Sequence, residues 1–233
     1  MSTRTNDCRP CLNRRGFLFA GGALALSLAG CAQRPSRVGA FRVAPANPPA
    51  PSVATSAYGP MPGERFPIPA VDLSRLDPRY RRQMVPYGGP ERPGTVVVDT
   101  SSFYLYHVRP GGQAMRYGVG LGREGFAWSG RANIKWKRPW PTWTPPAEMI
   151  EREPELAQYS ADNGGMPPGL NNPLGARALY IFQGGEDTLY RLHGTPEVWS
   201  IGQAVSSGCV RLVNQDVIHL YDNVQAGSPI IVT

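Results

Sequence analysis

The chain has 233 residues and a formal net charge of +7 at pH 7, with 25 prolines, 27 glycines and four cysteines. That length holds one large domain or two small ones. The first thirty residues carry four arginines and one aspartate, so the charge beyond them is +4; with no basic helix, zinc-ligand spacing or aromatic RNA signature, this argues against a nucleic-acid partner and leaves an anionic polymer of the cell envelope as a plausible neighbour.

In chain order, Arg14-Arg15-Gly16-Phe17-Leu18 opens an apolar run that closes at Leu28-Ala29-Gly30-Cys31. The run from Phe17 to Leu28 has twelve residues, two of them glycine, whereas a membrane-spanning helix needs about 20 apolar residues. Residues 1–30 therefore read as an export signal. The paired arginines resemble a twin-arginine address, and Leu-Ala-Gly-Cys resembles a bacterial lipobox in which Cys31 becomes the lipidated first residue. The alternative is ordinary cleavage near Ala29 to Ala32, releasing the protein from the membrane. The expected location is the bacterial periplasm or cell envelope, with the membrane as a partner through a lipid on Cys31. Cys8 and Cys11 fall inside the removed segment, which leaves Cys209 as the one cysteine with neither lipid nor cleavage to account for it.

Thirteen prolines fall from Pro35 to Pro93, and residues 31–92 show little apolar periodicity. They read as a proline-rich tether, with the stretch 72–83 partly packed against the C-terminal domain. The domain proper is expected over 93–233. Thr95 to Asp99, Phe103 to Val108 and Ala114 to Val119 read as strands, the last two joined at Arg109-Pro110-Gly111-Gly112; His107 reads as a partly exposed strand histidine. Gly120-x-Gly122-x-x-Gly125 matches a dinucleotide fingerprint only as text, because it lies after a hairpin and opens no helix. No cofactor and no metal are expected.

Arg131 to Trp136 reads as a strand leading into a Trp/Pro-rich connection, Pro139 to Pro146, and a short helix over Ala147 to Glu153. That connection suits core packing and a groove wall equally well. Arg177 to Gln183 and Asp187 to His193 form a hairpin around Gly184-Gly185-Glu186. A helix is expected at the period of Val217, Leu220, Tyr221 and Val224, with Asn214 able to cap it and Gly227 to end it; His219 lies on it as a surface or packing residue. A last strand runs from Pro229 to Thr233.

Between His193 and Arg211 the chain places a base, a thiol and a guanidinium. A thiol attacks as thiolate, so a nearby histidine is the partner it needs. Gly208 permits a tight turn or a close approach, after which the Cys209 amide can face a developing oxyanion. Arg211 can grip a carboxylate through two hydrogen bonds or form an ion pair that holds the cysteine loop.

His193-Gly194-Thr195, Ile201-Gly202 and Ser206-x-Gly208-Cys209-x-Arg211, with Asn172-Pro173-Leu174-Gly175, the strand at Arg177 to Tyr180 and the Trp/Pro-rich connection, resemble the L,D-transpeptidase family with a YkuD-type catalytic domain, over roughly Pro93 to Thr233. The resemblance implies a mainly β fold, a β-sandwich with a short C-terminal helix and a long connection, and peptidoglycan stem peptides as partner. It implies that Cys209 attacks the third-residue carbonyl of a tetrapeptide, releases D-alanine and passes the acyl group to an amine, giving a 3-3 cross-link. In that scheme His193 is the base, oriented by the Gly194 carbonyl; backbone amides at Gly208 and Cys209 form the oxyanion hole, while Arg211 and Ser206 contact substrate or brace the loop. Attachment or hydrolysis of lipoprotein–peptidoglycan links at the same site, and a non-catalytic wall-binding lipoprotein, are the alternatives. Ser207 stands where many members carry histidine.

Overall fold

The computed structural model describes residues 55–122, 129–206 and 208–233, all within one unit, Asn47–Thr233. The expected signal, Cys31, the Gly125 end of the glycine-rich text and Ser207 lie outside the described residues.

Eleven strands and two α-helices are described, so the fold is mainly β, as expected: β1 (Gln83–Pro86), β2 (Val96–Asp99), β3 (Tyr104–Arg109), β4 (Gln113–Gly118), β5 (Leu121–Gly122), β6 (Gly130–Pro139), α1 (Ala147–Arg152), β7 (Arg177–Gln183), β8 (Glu186–Thr195), β9 (Ala204–Ser206), β10 (Val210–Val213), α2 (Asn214–Asn223) and β11 (Pro229–Val232). Nine strands form one sheet in the order β1-β4-β3-β2-β11-β6-β7-β8-β10, and β5 pairs with β9 in a second, small sheet. The large sheet curls on itself. Gly120, just past β4, exchanges two backbone hydrogen bonds with Arg211 of β10, at 2.9 and 2.8 Å, so an edge strand meets chain leaving the sheet's opposite end. This spares β10 an open edge.

The curl encloses the core. Val96 and Val98 of β2, Leu105 of β3, Ile134 of β6, Leu179 and Ile181 of β7, Leu192 of β8, Leu212 of β10 and Ile230 of β11 are all buried in one cluster, which Val217, Leu220 and Val224 of α2 and its C-terminal end close. In β8 and β10 these residues alternate with polar ones, the period-2 pattern of strands with one apolar face, whereas in β2 and β11 the intervening Val97 and Ile231 are buried too. The alternation sends the intervening residues of β8 and β10 to the opposite face.

Chain before β2 contributes more than its proline content suggests. Tyr58, Leu76 and Tyr80 pack with Ile201 and Val213, while Ile68 packs with Trp140, Ala176 and Ile218. β1 pairs antiparallel with β4. Tyr80 lies so close over Gly202 that a side chain there would overlap its ring. Polar bonds reinforce this strap: Tyr58 donates to Asp216 at 3.1 Å, Arg82 lies 3.2 Å from the same carboxylate, and Gln215 donates to the carbonyls of Gly59 and Pro69.

Some local expectations change. Asn214 does not cap α2; it is the first helical residue, Val213 takes the cap position, and the Asn214 side chain accepts instead from the Ala176 amide at 2.9 Å. The helix ends at Asn223, before Gly227, which forms the turn into β11. His107 is buried, 2 % exposed, in the middle of β3 with β2 and β4 paired on its two sides. His219 packs, with Nδ1 2.8 Å from the Tyr117 hydroxyl. In the Trp/Pro connection, Trp140 is a core residue and donates to Glu64 at 2.9 Å.

Candidate active site

The site is built by a parallel crossover. β8 and β10 run side by side, and parallel neighbours cannot be joined by a tight turn; the chain between Thr195 and Val210 leaves the sheet, forms a 3-10 turn at Val198–Ser200 and strand β9, and returns. The return brings Arg211 into register with His193, and Val210 with Leu192. One step earlier, Cys209 falls beside Arg191. Leu192, Val210 and Leu212 point into the core, so strand alternation puts Arg191, His193, Cys209 and Arg211 together on the other face.

His193 is 4 % exposed, and its Nδ1 lies 2.6 Å from the Gly194 carbonyl oxygen. A carbonyl can only accept, so Nδ1 carries the proton and Nε2 is left as the basic nitrogen. Burial pushes its pKa down to about 4; the Gly194 carbonyl opposes this, the Arg211 and Arg191 charges reinforce it, and the Pro173 carbonyl opposes it more weakly. Histidine is therefore neutral in the resting site. Gly194 is held from below: a Cβ there would overlap the Asn214 side-chain oxygen. That asparagine, read from sequence as a helix cap, thus fixes the backbone carrying the His193 acceptor.

Cys209 is partly buried and directs Sγ toward the Leu189 carbonyl at 4.0 Å. Burial pushes the thiol up; a hydrogen bond from the Arg191 backbone opposes this most, followed by the Arg191 and Arg211 charges. By these directions the two groups rest as thiol and imidazole rather than as thiolate and imidazolium. Gly208 has φ 123°, which other residues rarely adopt, and space lies open above it, with Tyr190 at 3.8 Å from where a Cβ would stand.

Arg211 forms an ion pair with Glu197 at 2.7 Å, with side-chain exposures of 19 % and 47 %. Glu197 is itself fixed by its amide, which donates to Thr195 Oγ1 at 3.1 Å, and by its carbonyl, which accepts from Ser200 Oγ at 2.7 Å. Ser206 ends β9, and its side chain lies outside the described residues. Leu189 and Trp199, 75 % and 46 % exposed, are large apolar groups on segments adjoining the site. Among the described residues no three of His, Cys, Asp and Glu converge as a metal ligand set.

Residues 93–232 match the YkuD model, the L,D-transpeptidase catalytic domain. The chain is 32 % identical over 142 residues to "Probable L,D-transpeptidase ErfK/SrfK" and 33 % identical over 142 residues to "Probable L,D-transpeptidase YbiS", both of Escherichia coli K12; each match covers 57 % of this chain and 42 % of the relative. The match therefore spans under half the length of these relatives. A crystal structure titled "Probable carnitine operon oxidoreductase caia", from Brucella melitensis, is 43 % identical and covers 70 % of this chain and 99 % of that one, at a TM-score of 0.48; similarity at that score supports no transfer of its name. With the family model covering more than half of its length, the chain belongs to the YkuD family of L,D-transpeptidase catalytic domains.

Proposed function

We propose that this protein is a peptidoglycan L,D-transpeptidase in which Cys209 is the nucleophile and His193 the general base. The observation that carries the reading is the common sheet face on which register places His193, Cys209 and Arg211, with His193 Nδ1 tied to the Gly194 carbonyl. Nε2 takes the thiol proton as sulfur attacks the carbonyl of the third stem residue. The amides around Gly208 and Cys209 receive the developing oxyanion. Collapse breaks the peptide bond to D-alanine, whose amine leaves with the proton from His193, and a thioester remains on Cys209. An incoming amine gives its proton to Nε2, attacks the thioester and restores the thiol. Arg211 meets a substrate carboxylate, in exchange for Glu197.

The site faces the cell wall after export, and the protein is held at a membrane through lipid on Cys31. These two statements rest on the arginine pair and the Leu28-Ala29-Gly30-Cys31 run.

The test is the full chain incubated with disaccharide tetrapeptides, with products identified by mass spectrometry beside Cys209→Ala. Cross-linked dimers with loss of D-alanine, absent from the variant, are expected. Tripeptide monomer alone would redirect the reading to hydrolysis, and an unchanged substrate to wall binding without catalysis. Cys31→Ser is expected to release the protein from membranes; retention would defeat the lipid anchor.

A further inference from the structure

The register of four neighbouring strands lines up two rows across the site face. One runs Trp136, Tyr180 and Arg191, and Cys209, one residue ahead of β10, continues its line; the next runs Arg138, Ala178, His193 and Arg211. In the first row the Trp136 and Tyr180 rings stack face to face, with centroids 3.8 Å apart and planes within 7°. The Arg191 guanidinium lies 4.4 Å over Tyr180, and Arg138 lies 5.1 Å over Trp136. The result is a four-layer stack that ends at Arg191, the residue whose backbone and charge both act on the Cys209 thiol.

Asp187 holds Arg191 in that place. Its two oxygens accept from Arg191 Nη1 and Nη2 at 2.7 and 2.8 Å, and Nη1 also donates to the Tyr190 carbonyl. The Asp187 carboxylate also accepts from the Leu189 amide at 2.9 Å. Leu189 sits at φ 63°, in a stretch where the β7–β8 register shifts, and its carbonyl is the one that faces Cys209 Sγ. A left-handed leucine with an exposed side chain gains nothing from core packing; strain of this kind persists where the surroundings impose it, and such residues cluster at functional sites.

We infer that Arg191 is a positioning residue for the Cys209 thiol, its clamped guanidinium holding positive charge beside the sulfur so that the thiolate forms more readily when substrate arrives. The charged and titratable groups facing the sulfur are Arg191 and His193 from β8, with Asp187 behind Arg191, and Arg211 from β10, with Glu197 behind it. Both cations are thus partly neutralised, and Arg191 is the one in lateral register with Cys209. Burial raises the thiol pKa; the Arg191 backbone hydrogen bond opposes the rise first, and of the charges Arg191 comes ahead of Arg211, so a side-chain substitution removes the charge and leaves the backbone bond. This deepens the reading of Cys209 as nucleophile and rests on it.

The test measures the thiol without turnover. Full-length protein is alkylated with iodoacetamide from pH 5 to 10, and modification is tracked on the Cys209 peptide by mass spectrometry. Arg191→Gln is expected to raise the midpoint and slow alkylation at pH 7 by about three-fold or more, a three-fold change being about half a pH unit. Arg191→Lys, which keeps charge but not the fork or the stack, is expected to slow it less. Asp187→Asn keeps Oδ1, the oxygen that accepts from both Arg191 Nη1 and the Leu189 amide, so Arg191 stays anchored while the neutralising charge is removed, and alkylation is expected to accelerate. A merely structural role would move Arg191→Gln and Asp187→Asn in the same direction. Superimposable profiles for wild type and Arg191→Gln, or equal-signed shifts in the two variants, would overturn the inference; if Arg191→Gln does not fold, the opposed signs of Arg191→Lys and Asp187→Asn decide. Stem-peptide turnover by the wild type is assayed separately, so loss of the transpeptidase reading would appear there and not in the alkylation profile.

Discussion

Replacing Glu64 by alanine tests whether the strap ahead of the family domain is part of the folded unit. Glu64 Oε1 accepts from Arg177 Nη2 at 2.7 Å, and Oε2 accepts from Arg177 Nη1 and Trp140 Nε1, both at 2.9 Å. The ion pair is largely buried, with side-chain exposures of 15 % for Glu64 and 11 % for Arg177. Removing one partner of such a pair strands the other charge, a loss of about 3–5 kcal/mol. For a domain of this size each kcal/mol lowers Tm by about 2–4 °C, so a drop on the order of 10 °C is expected. Glu64→Gln keeps acceptor and shape and is expected to lose less. The pH dependence has a defined sign: Arg177 holds the Glu64 carboxyl below its ordinary value, so its contribution is full above the unfolded carboxylate pKa of about 4.3 and is lost as pH falls through the folded value. The gap between wild type and Glu64→Gln should therefore be constant above about pH 5 and close in stronger acid. Urea unfolding of the full chain at several pH values measures it. A Glu64→Ala variant within about 0.5 kcal/mol of the parent would refute the reasoning, since that is the range of surface substitutions away from such features.

The same geometry sets three further outcomes. Burial pushes His193, His107 and His219 each down to about 4, so the unfolded chain binds more protons than the native one between there and about pH 6.5, and stability should fall on acidification by up to about 1.4 kcal/mol per pH unit for each. Asp216, raised by burial to about 7, contributes one proton of opposite sign, and His107→Gln should flatten the measured slope. Gly194→Ala should cost about 1–3 kcal/mol, since the new methyl overlaps Asn214, and should lower turnover more than binding; equal stability and activity would separate Asn214 from the site. Glu197→Gln weakens a partly exposed pair, so stability should change by less than about 1 kcal/mol, while KM for a carboxylate-bearing stem peptide falls; an unchanged KM would leave Arg211 with a purely structural role.

Much of the fold is legible along the chain because its strands carry their own signals. Val96 to Asp99 and Pro229 to Val232 are short and β-branched, Arg177 to Gln183 is apolar and aromatic ahead of a Gly-Gly turn, and each lies where its pattern indicates. The strap is the exception. Tyr58, Ile68, Leu76 and Tyr80 show no common period because each fills a different gap in a surface built by distant residues, and proline density conceals that. Asn214 misleads for a related reason: a residue type that caps helices also satisfies a buried amide, and only packing against Gly175, Gly194 and Ala176 decides between the two.

By itself the sequence determines the chemistry that the site can hold: a histidine, a cysteine and an arginine of the right types, in an order that matches the family. Tertiary structure decides what surrounds them. The crossover into β10 sets Cys209 beside Arg191 and Arg211 beside His193, the curl of the sheet ties Arg211 to Gly120, and Asp187 and Glu197 arrive as counter-charges. Register between parallel strands depends on where the core residues on their other face come to rest, here Leu192, Val210 and Leu212, and that is a property of the packed sheet rather than of any one segment.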